Sequence, residues 1–328
     1  MLLPYPFSLC RFASWGRRSL GFFLLGALLA AGGCGSRQDQ PLTVFASPDS
    51  PRLQAALAGL KAGLAPRSLK VVCVPEFGPA GGDALRKIRD QHPPLLLVLG
   101  SPALIRVAPV EKVIPVVFAM VANPYVTGAA DDPRHPDLHQ KNITGIASPP
   151  PVGPALEHGA RLLGPGPWGM LYDPGEGQEV EVAGLFTRLA PQYGITPLTE
   201  TSTEAATDLA ALRQLFTRGA QVLYLPPTAS AARYASTLLA WGRERKVRVV
   251  SSQAEINHKG AILWVALDYQ TLGKDAAALT KRLLAGENPE KIPITENMPL
   301  QVEADESLIQ FWSGYPGVPR IPEGVPVK

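Results

Sequence analysis

The sequence predicts an α/β protein of two lobes, each a parallel sheet with helices on both faces. Three observations carry that prediction. Short aliphatic runs alternate with amphipathic stretches from residue 42 almost to the C-terminus, the rhythm of repeated strand–helix units. The run Ser148-Pro-Pro-Pro151 breaks the alternation where neither a helix interior nor a central strand can continue. Of the 328 residues, 46% are hydrophobic and 18% charged, which supplies apolar material for a sizeable core.

Leu42–Ala46 reads as a strand. Ser50–Leu64 reads as a helix because Leu53, Leu57, Leu60 and Leu64 share one stripe. A strand over Leu69–Val74 and a helix over Gly82–Gln91 follow. Leu95–Leu99 is wholly aliphatic, as suits a strand covered on both faces. Pro102–Ala108 is a short helix and Ile114–Ala119 a second buried strand. Ile143–Ala147 is a strand beyond a long loop rich in Pro, Gly, Asp and His. After the proline break, Val152–Leu163 is a helix, Trp168–Tyr172 a strand, Gln178–Tyr193 a helix and Ile195–Thr199 a strand. Thr201-Ser-Thr-Glu204 has the pattern of a capping box, opening a helix that carries Leu209, Leu212 and Phe216. Gln221–Leu225, Val247–Ser251 and Ala261–Ala266 are strands, with helices at Ala229–Lys246 and Tyr269–Ala285. A short strand near Pro299–Glu303 and a helix near Asp305–Ser313 close the chain. On this reading residues 42–147 with about 256–288 form one lobe, and 148–255 with about 289–328 form the other.

The N-terminus reads as a targeting segment. Arg11, Arg17 and Arg18 precede an apolar run, Leu20 to Ala31, that is too short to span a bilayer comfortably. Ala31-Gly-Gly-Cys34 follows, the pattern of a lipoprotein signal peptide over residues 1–33, with Cys34 as the lipidated residue and 34–41 as a linker; an ordinary signal peptide cut near the same place is the alternative. The whole chain holds 31 basic and 28 acidic side chains. Residues 1–33 contain three arginines and no acid, so removing them leaves 28 against 28. The apparent basicity belongs to the leader and gives no reason to expect nucleic-acid binding. Cleavage also removes Cys10 and commits Cys34, leaving Cys73 without an internal partner. Its strand-like surroundings predict a buried, inert thiol.

Ligands of open parallel sheets sit beyond the carboxyl ends of the strands. The residues at those positions are Ser47, Pro48, Gly100, Ser101, Asn123, Pro124, Tyr172, Asp173, Thr228, Ser251, Ser252, Asp268 and Tyr269. Most are small, hydroxylated or amide-bearing. Several precede helices, whose N-terminal N–H groups suit an anion, although helix caps and turns favour the same residue types. No Gly-x-Ser-x-Gly elbow, phosphate loop or Gly-x-Gly-x-x-Gly after the first strand occurs, so no enzyme active site is expected. Asp131, Asp132, His135, Asp137 and His139 could ligate a metal, but Pro133 and Pro136 prevent a helix that would align them. A solvated loop, with no metal and no cofactor, is the expectation. His158 and His258 read as isolated, and Arg243 to Arg248 as a basic helix end.

Several stretches together resemble the ABC-transporter substrate-binding family of the TrpX type. They are Ile114-Pro-Val-Val-Phe-Ala119 with Asn123-Pro124, Asn142-Ile-Thr-Gly-Ile146, Gly169-Met-Leu-Tyr-Asp-Pro174 and Leu223-Tyr-Leu-Pro-Pro-Thr228. Gly260-Ala261, Asp268-Tyr-Gln-Thr-Leu-Gly273, Gly286-Glu-Asn-Pro289 and Ile292-Pro293 complete the set. The resemblance implies two Rossmann-like lobes of the type I periplasmic-binding architecture, joined by three hinge crossings around a cleft. It implies a ligand held by Gly100, Ser101, Asn123, Tyr172, Thr228, Ser251 and Asp268. The chain departs from the family where Asn123 and Thr228 replace frequent aspartates, and where a usual serine falls near Glu179. Losing two acids removes charge partners that a buried ammonium needs, which argues against a simple amino acid as ligand.

The expected function is therefore that of a monomeric, lipid-anchored solute-binding protein of the periplasm or cell envelope, which hands a small molecule to an ABC permease. A ligand-sensing lipoprotein of the same fold, signalling to a membrane sensor, is the alternative.

Overall fold

The computed structural model describes residues 40–74, 79–254 and 259–313. The expected signal peptide with Cys34, and His258, lie outside the described residues.

Two six-stranded sheets organise the described chain. The first contains β1 (Leu42–Ala46), β2 (Leu69–Cys73), β3 (Leu96–Leu99), β4 (Val116–Val121) and β5 (Ile143–Ala147). A late strand, β11 (Thr295–Glu296), joins its edge, giving the order β11-β5-β4-β3-β1-β2, all parallel. The second contains β6 (Gly166–Tyr172), β7 (Ile195–Thr201), β8 (Val222–Leu225), β9 (Arg248–Ser251), β10 (Leu263–Leu267) and β12 (Leu300–Ala304). Its order is β12-β10-β9-β8-β6-β7, and β12 alone runs antiparallel.

Helices cover both faces of each sheet because each carries an apolar stripe. In α1 (Pro51–Leu64) the stripe Leu53, Leu57, Leu60 and Leu64 is buried, each leucine contributing on the order of 2 kcal/mol. Ser50 caps α1, its hydroxyl accepting from the N–H of Leu53 at 3.2 Å. Helices α2 (Pro79–Asp90) and α3 (Ser101–Val107) pack on the same sheet. The second sheet is flanked by α4 (Val152–Leu163), α5 (Gly177–Leu189), α6 (Ala205–Thr217), α7 (Ala229–Arg243) and the terminal α9 (Glu306–Ser313).

Helix α8 (Tyr269–Leu284) follows a strand of the second sheet but packs on α1 of the first. Glycines allow that contact. A Cβ on Gly59 would fall 1.9 Å from the carbonyl oxygen of Gln270, and one on Gly273 would fall 2.0 Å from that of Ala56.

The chain thus passes between sheets at 148–151, at Asp268 and at 297–299. This corrects the expected return segment. Leu263 pairs with Val250 and Trp264 with Ser251, so β10 belongs to the second sheet rather than to a segment beginning near 256. Thr295 pairs with Ile146, so the chain stays with the first lobe past 289. Both residues of β11 are exposed and carry no hydrophobic pattern.

Two local readings also change. The capping box does not form: β7 runs through Thr201, Glu204 becomes the cap residue without a side-chain cap bond, and the Ser202 hydroxyl donates to Asp208 at 2.6 Å. Leu209 consequently faces solvent. Cys73 is exposed rather than buried, at the end of the edge strand β2.

Candidate functional site

A cavity of about 300 Å³ lies between the carboxyl ends of the two sheets. The first lobe contributes Ser47 after β1, Gly100 and Ser101 after β3, and Met120 and Ala122 at the end of β4. The crossing from β5 adds Ser148, Pro150 and Pro151. The second lobe contributes Gln178 from α5, Pro227 after β8, Ser252 after β9 and Leu267 of β10. Asp49, Arg52 and Tyr269 complete the principal lining.

Backbone bonds hold this wall together. The Ser47 N–H donates to Leu99 O at 2.9 Å, the Gly100 N–H to Ala119 O at 3.0 Å, and the Ser148 N–H to Val121 O at 2.8 Å. Gly100 has φ +98°, a conformation that side chains oppose. Met120 has φ +59°, within a register shift between Phe118 and Val121. That bulge turns the strand at the cavity wall.

Two hydroxyls define the chemistry. Ser47 Oγ and Ser148 Oγ are both buried and find no hydrogen-bond partner among the described residues. A buried hydroxyl left without a partner costs roughly 1–3 kcal/mol, and two of them stand on one cavity wall. Ser101 Oγ accepts from the Ala122 N–H at 3.2 Å, and Ser252 Oγ accepts from the Tyr224 hydroxyl at 3.1 Å. Burial pushes the Tyr224 phenol far above its ordinary pKa, so that hydroxyl stays protonated as a donor.

The cavity therefore gathers Ser47, Pro48, Gly100, Ser101, Ser252 and Tyr269. The other expected ligand residues stand outside its lining, each for a local reason. Asn123 Oδ1 accepts from the Tyr125 N–H at 3.1 Å, and its Nδ2 donates across to Glu181 of the second lobe at 3.2 Å. The Pro124 carbonyl accepts from Thr127 Oγ1 at 2.6 Å. Alternation along β6 packs Leu171 and Tyr172 against opposite cores, and Tyr172 lines an outer groove with Thr187, Arg188 and Thr199. Thr228 is the cap residue of α7; its carbonyl accepts from Gln253 Nε2 at 2.8 Å, and its buried Oγ1 has no partner among the described residues. Ser251 Oγ accepts from the Gln253 N–H at 3.3 Å. Asp268 caps α8, accepting from the Thr271 N–H at 3.1 Å and the Thr271 hydroxyl at 2.7 Å.

Sequence reasoning passed over Ser148, Met120 and Gln178. Ser148 stands in the proline break, and a crossing between lobes necessarily borders the cleft; that was the available signal. Among the described residues, no group of three or more His, Cys, Asp and Glu side chains could hold a metal. The Asp131–His139 stretch is instead a loop in which Asp132 pairs with Arg134 at 2.7 Å and His139 Nδ1 meets Gln140 O at 3.0 Å.

The family model for ABC transporter substrate binding proteins matches residues 50–303. The chain belongs to that family. As an ABC transporter substrate-binding protein it serves solute binding for transport, and proteins of this kind work outside the cytoplasm. Solved structures share the fold. A conserved domain protein from Vibrio cholerae is 21% identical, covering 88% of this chain and 100% of its own, with a TM-score of 0.66. An ABC domain from Streptococcus pneumoniae in complex with L-Trp is 19% identical, with 88% and 100% coverage and a TM-score of 0.66. A substrate binding protein with adhesive properties from Clostridium difficile, in a ligand-free, open structure, is 17% identical, with 88% and 99% coverage and a TM-score of 0.72. A comparison with curated proteins gives no match. Among the described residues, no helix of this substrate-binding protein is long and apolar enough to cross a membrane.

Proposed function

We propose that this protein is a lipid-anchored solute receptor. It captures a small molecule between its lobes and passes it to an ABC permease in the inner membrane, without catalysing a reaction. The observation that carries the reading is the pair of buried, unpartnered hydroxyls, Ser47 and Ser148, on the wall of a cavity of about 300 Å³. That volume suits a solute of modest size and lies at the small end of ligand cavities. Hydroxyls that lack partners raise the energy of the unliganded site and reward a guest that bonds both, which favours the ligand-bound arrangement of the lobes. Five serines line the cavity beside Met120 and Leu267, so the guest combines hydrogen-bonding groups with some apolar surface. The Streptococcus relative is in complex with L-Trp. Asn123 and Thr228 stand where the resemblance expects ammonium-binding aspartates, and both lie outside the cavity lining, so a different solute is proposed. Cys34 would carry the lipid and hold the monomeric receptor at the membrane.

Native mass spectrometry of the full chain, purified in detergent, tests the function. A single small adduct, lost on unfolding, is the expected result. A bare protein that also gains no thermal stability from any member of a broad solute panel would defeat it. The anchor is tested separately by Cys34→Ser, which should release the chain from the membrane fraction.

A further inference from the structure

Glu179 is 3% exposed. Its carboxylate forms no ion pair among the described residues; Arg233 lies in electrostatic range, but its guanidinium is bonded to Asp208 at 3.2 Å. Three donors of the second lobe hold the carboxylate instead. Oε1 accepts from the Ser230 N–H at 2.8 Å, and Oε2 accepts from the Asp173 N–H at 2.8 Å and from the Ser230 hydroxyl. Ser230 is the second residue of α7, and Asp173 follows the carboxyl end of β6.

Backbone N–H groups at the start of a long helix, beyond the carboxyl ends of parallel strands, are where open α/β sheets receive anions. Here the position is filled from within. A buried carboxylate without a countercation is costly, and the α7 N-terminus with three converging donors offsets that cost. The position adjoins the cavity: Gln178 and Pro227, chain neighbours of Glu179 and Thr228, both line it. A second buried polar group stands at the same helix end. Thr228, the cap residue of α7, is 6% exposed, and its hydroxyl has no partner among the described residues.

We propose that Glu179 is a resident anion filling the anion subsite of the second lobe, and that the cleft therefore selects solutes carrying no carboxylate or phosphate toward that lobe. The inference rests on the solute-binding reading above. The charged lining residues Asp49 and Arg52 both come from the first lobe, so the second lobe meets the guest with Gln178, Pro227, Ser252 and Leu267, which carry no charge. The substrate class is a hydrogen-bonding solute with no anionic group toward the second lobe, whose polar groups reach Ser47 and Ser148.

Glu179→Ala removes the methylene and carboxylate, the heavy atoms of one acetate ion, and leaves the three donors in place. Sodium acetate is therefore the probe, compared with sodium chloride at equal ionic strength. The full-length variant should gain a saturable rise in Tm of about 2 °C in acetate, the size expected at roughly ten times the dissociation constant for a protein of this length. The wild-type protein should gain nothing specific to acetate. An acetate effect absent from the variant, or equal in both proteins, would overturn the assignment. Should Glu179→Ala not fold in chloride, refolding yield from urea is compared in the two salts: a yield that depends on acetate supports the subsite, and equal yields reject it. The comparison needs no solute, so its failure is distinct from failure to find an adduct by mass spectrometry.

Discussion

Ser47 Oγ occupies the space that a side chain on Gly100 would need: a Cβ built on Gly100 would stand 2.1 Å from it. The two residues follow adjacent parallel strands, and their backbones are tied through Leu99. The glycine is what lets the serine hydroxyl reach the cavity wall.

Gly100→Ala meets this clash and a backbone at φ +98° that alanine resists. It should lower stability by about 2 kcal/mol or more and abolish solute binding. Urea denaturation with a binding assay measures both. A variant as stable as wild type would contradict the packing described.

Ser47→Ala and Ser148→Ala remove hydroxyls that lack partners in the unliganded protein. Stability should hold or rise slightly, while affinity for the co-purifying solute falls about 5- to 10-fold in each, the worth of one lost hydrogen bond. Isothermal titration on protein stripped of solute reads the affinity. Unchanged affinity in both variants would remove these serines from the site.

Asp268→Ala and Tyr172→Ala separate the cleft from its surroundings. Loss of the Asp268 cap on α8 should cost about 1 kcal/mol of stability with little direct effect on affinity. Tyr172→Ala should leave affinity unchanged, since its ring lines the outer groove. A tenfold loss of affinity on replacing Tyr172 would restore it to the cleft.

Gly59→Ala improves helix propensity by about 1 kcal/mol, yet places a methyl 1.9 Å from the Gln270 carbonyl oxygen. The clash wins, because backbone stands on both sides. The Tm should drop by several degrees, and a stabilised variant would refute the tight α1–α8 contact.

The Cys73 thiol is held above its ordinary pKa of 9.0, first by the partial desolvation its neighbours impose and second by the negative charge of Asp49. Alkylation by iodoacetamide should therefore be slow at neutral pH despite the thiol's exposure, and quicken only in alkaline solution. Removing the charge lowers the pKa, so Asp49→Asn should react faster at a given pH. Rapid alkylation at neutral pH would contradict the raised value.

Much of the fold was legible because aliphatic runs such as Leu95–Leu99 and the α1 leucine stripe bury nearly everything they carry. The pairing partner of a strand was not. Leu263–Leu267 looks the same whichever sheet receives it, and only its bonds to β9 and β12 decide. The site was half legible for a similar reason. Strand ends locate a cleft, but the pleat decides which side chain enters it, and at β6 it turns Tyr172 away. Helix capping took Asp268, the bond to Glu181 took Asn123, and Ser148 lay hidden in a segment read for its prolines alone.

The pairing of α1 with α8 sets the order in which the molecule can be assembled. One partner is made near the beginning of the chain and the other only after five strands of the second sheet. Until α8 and β11 emerge, one face of the first sheet is covered by α1 alone and one edge stays unpaired. A nascent chain cut off after β5 therefore has no finished globule to form, and native structure must wait for contacts between distant parts of the sequence. The first sheet is thus completed only by segments made after most of the second, so closure of either lobe depends on nearly the whole chain being present.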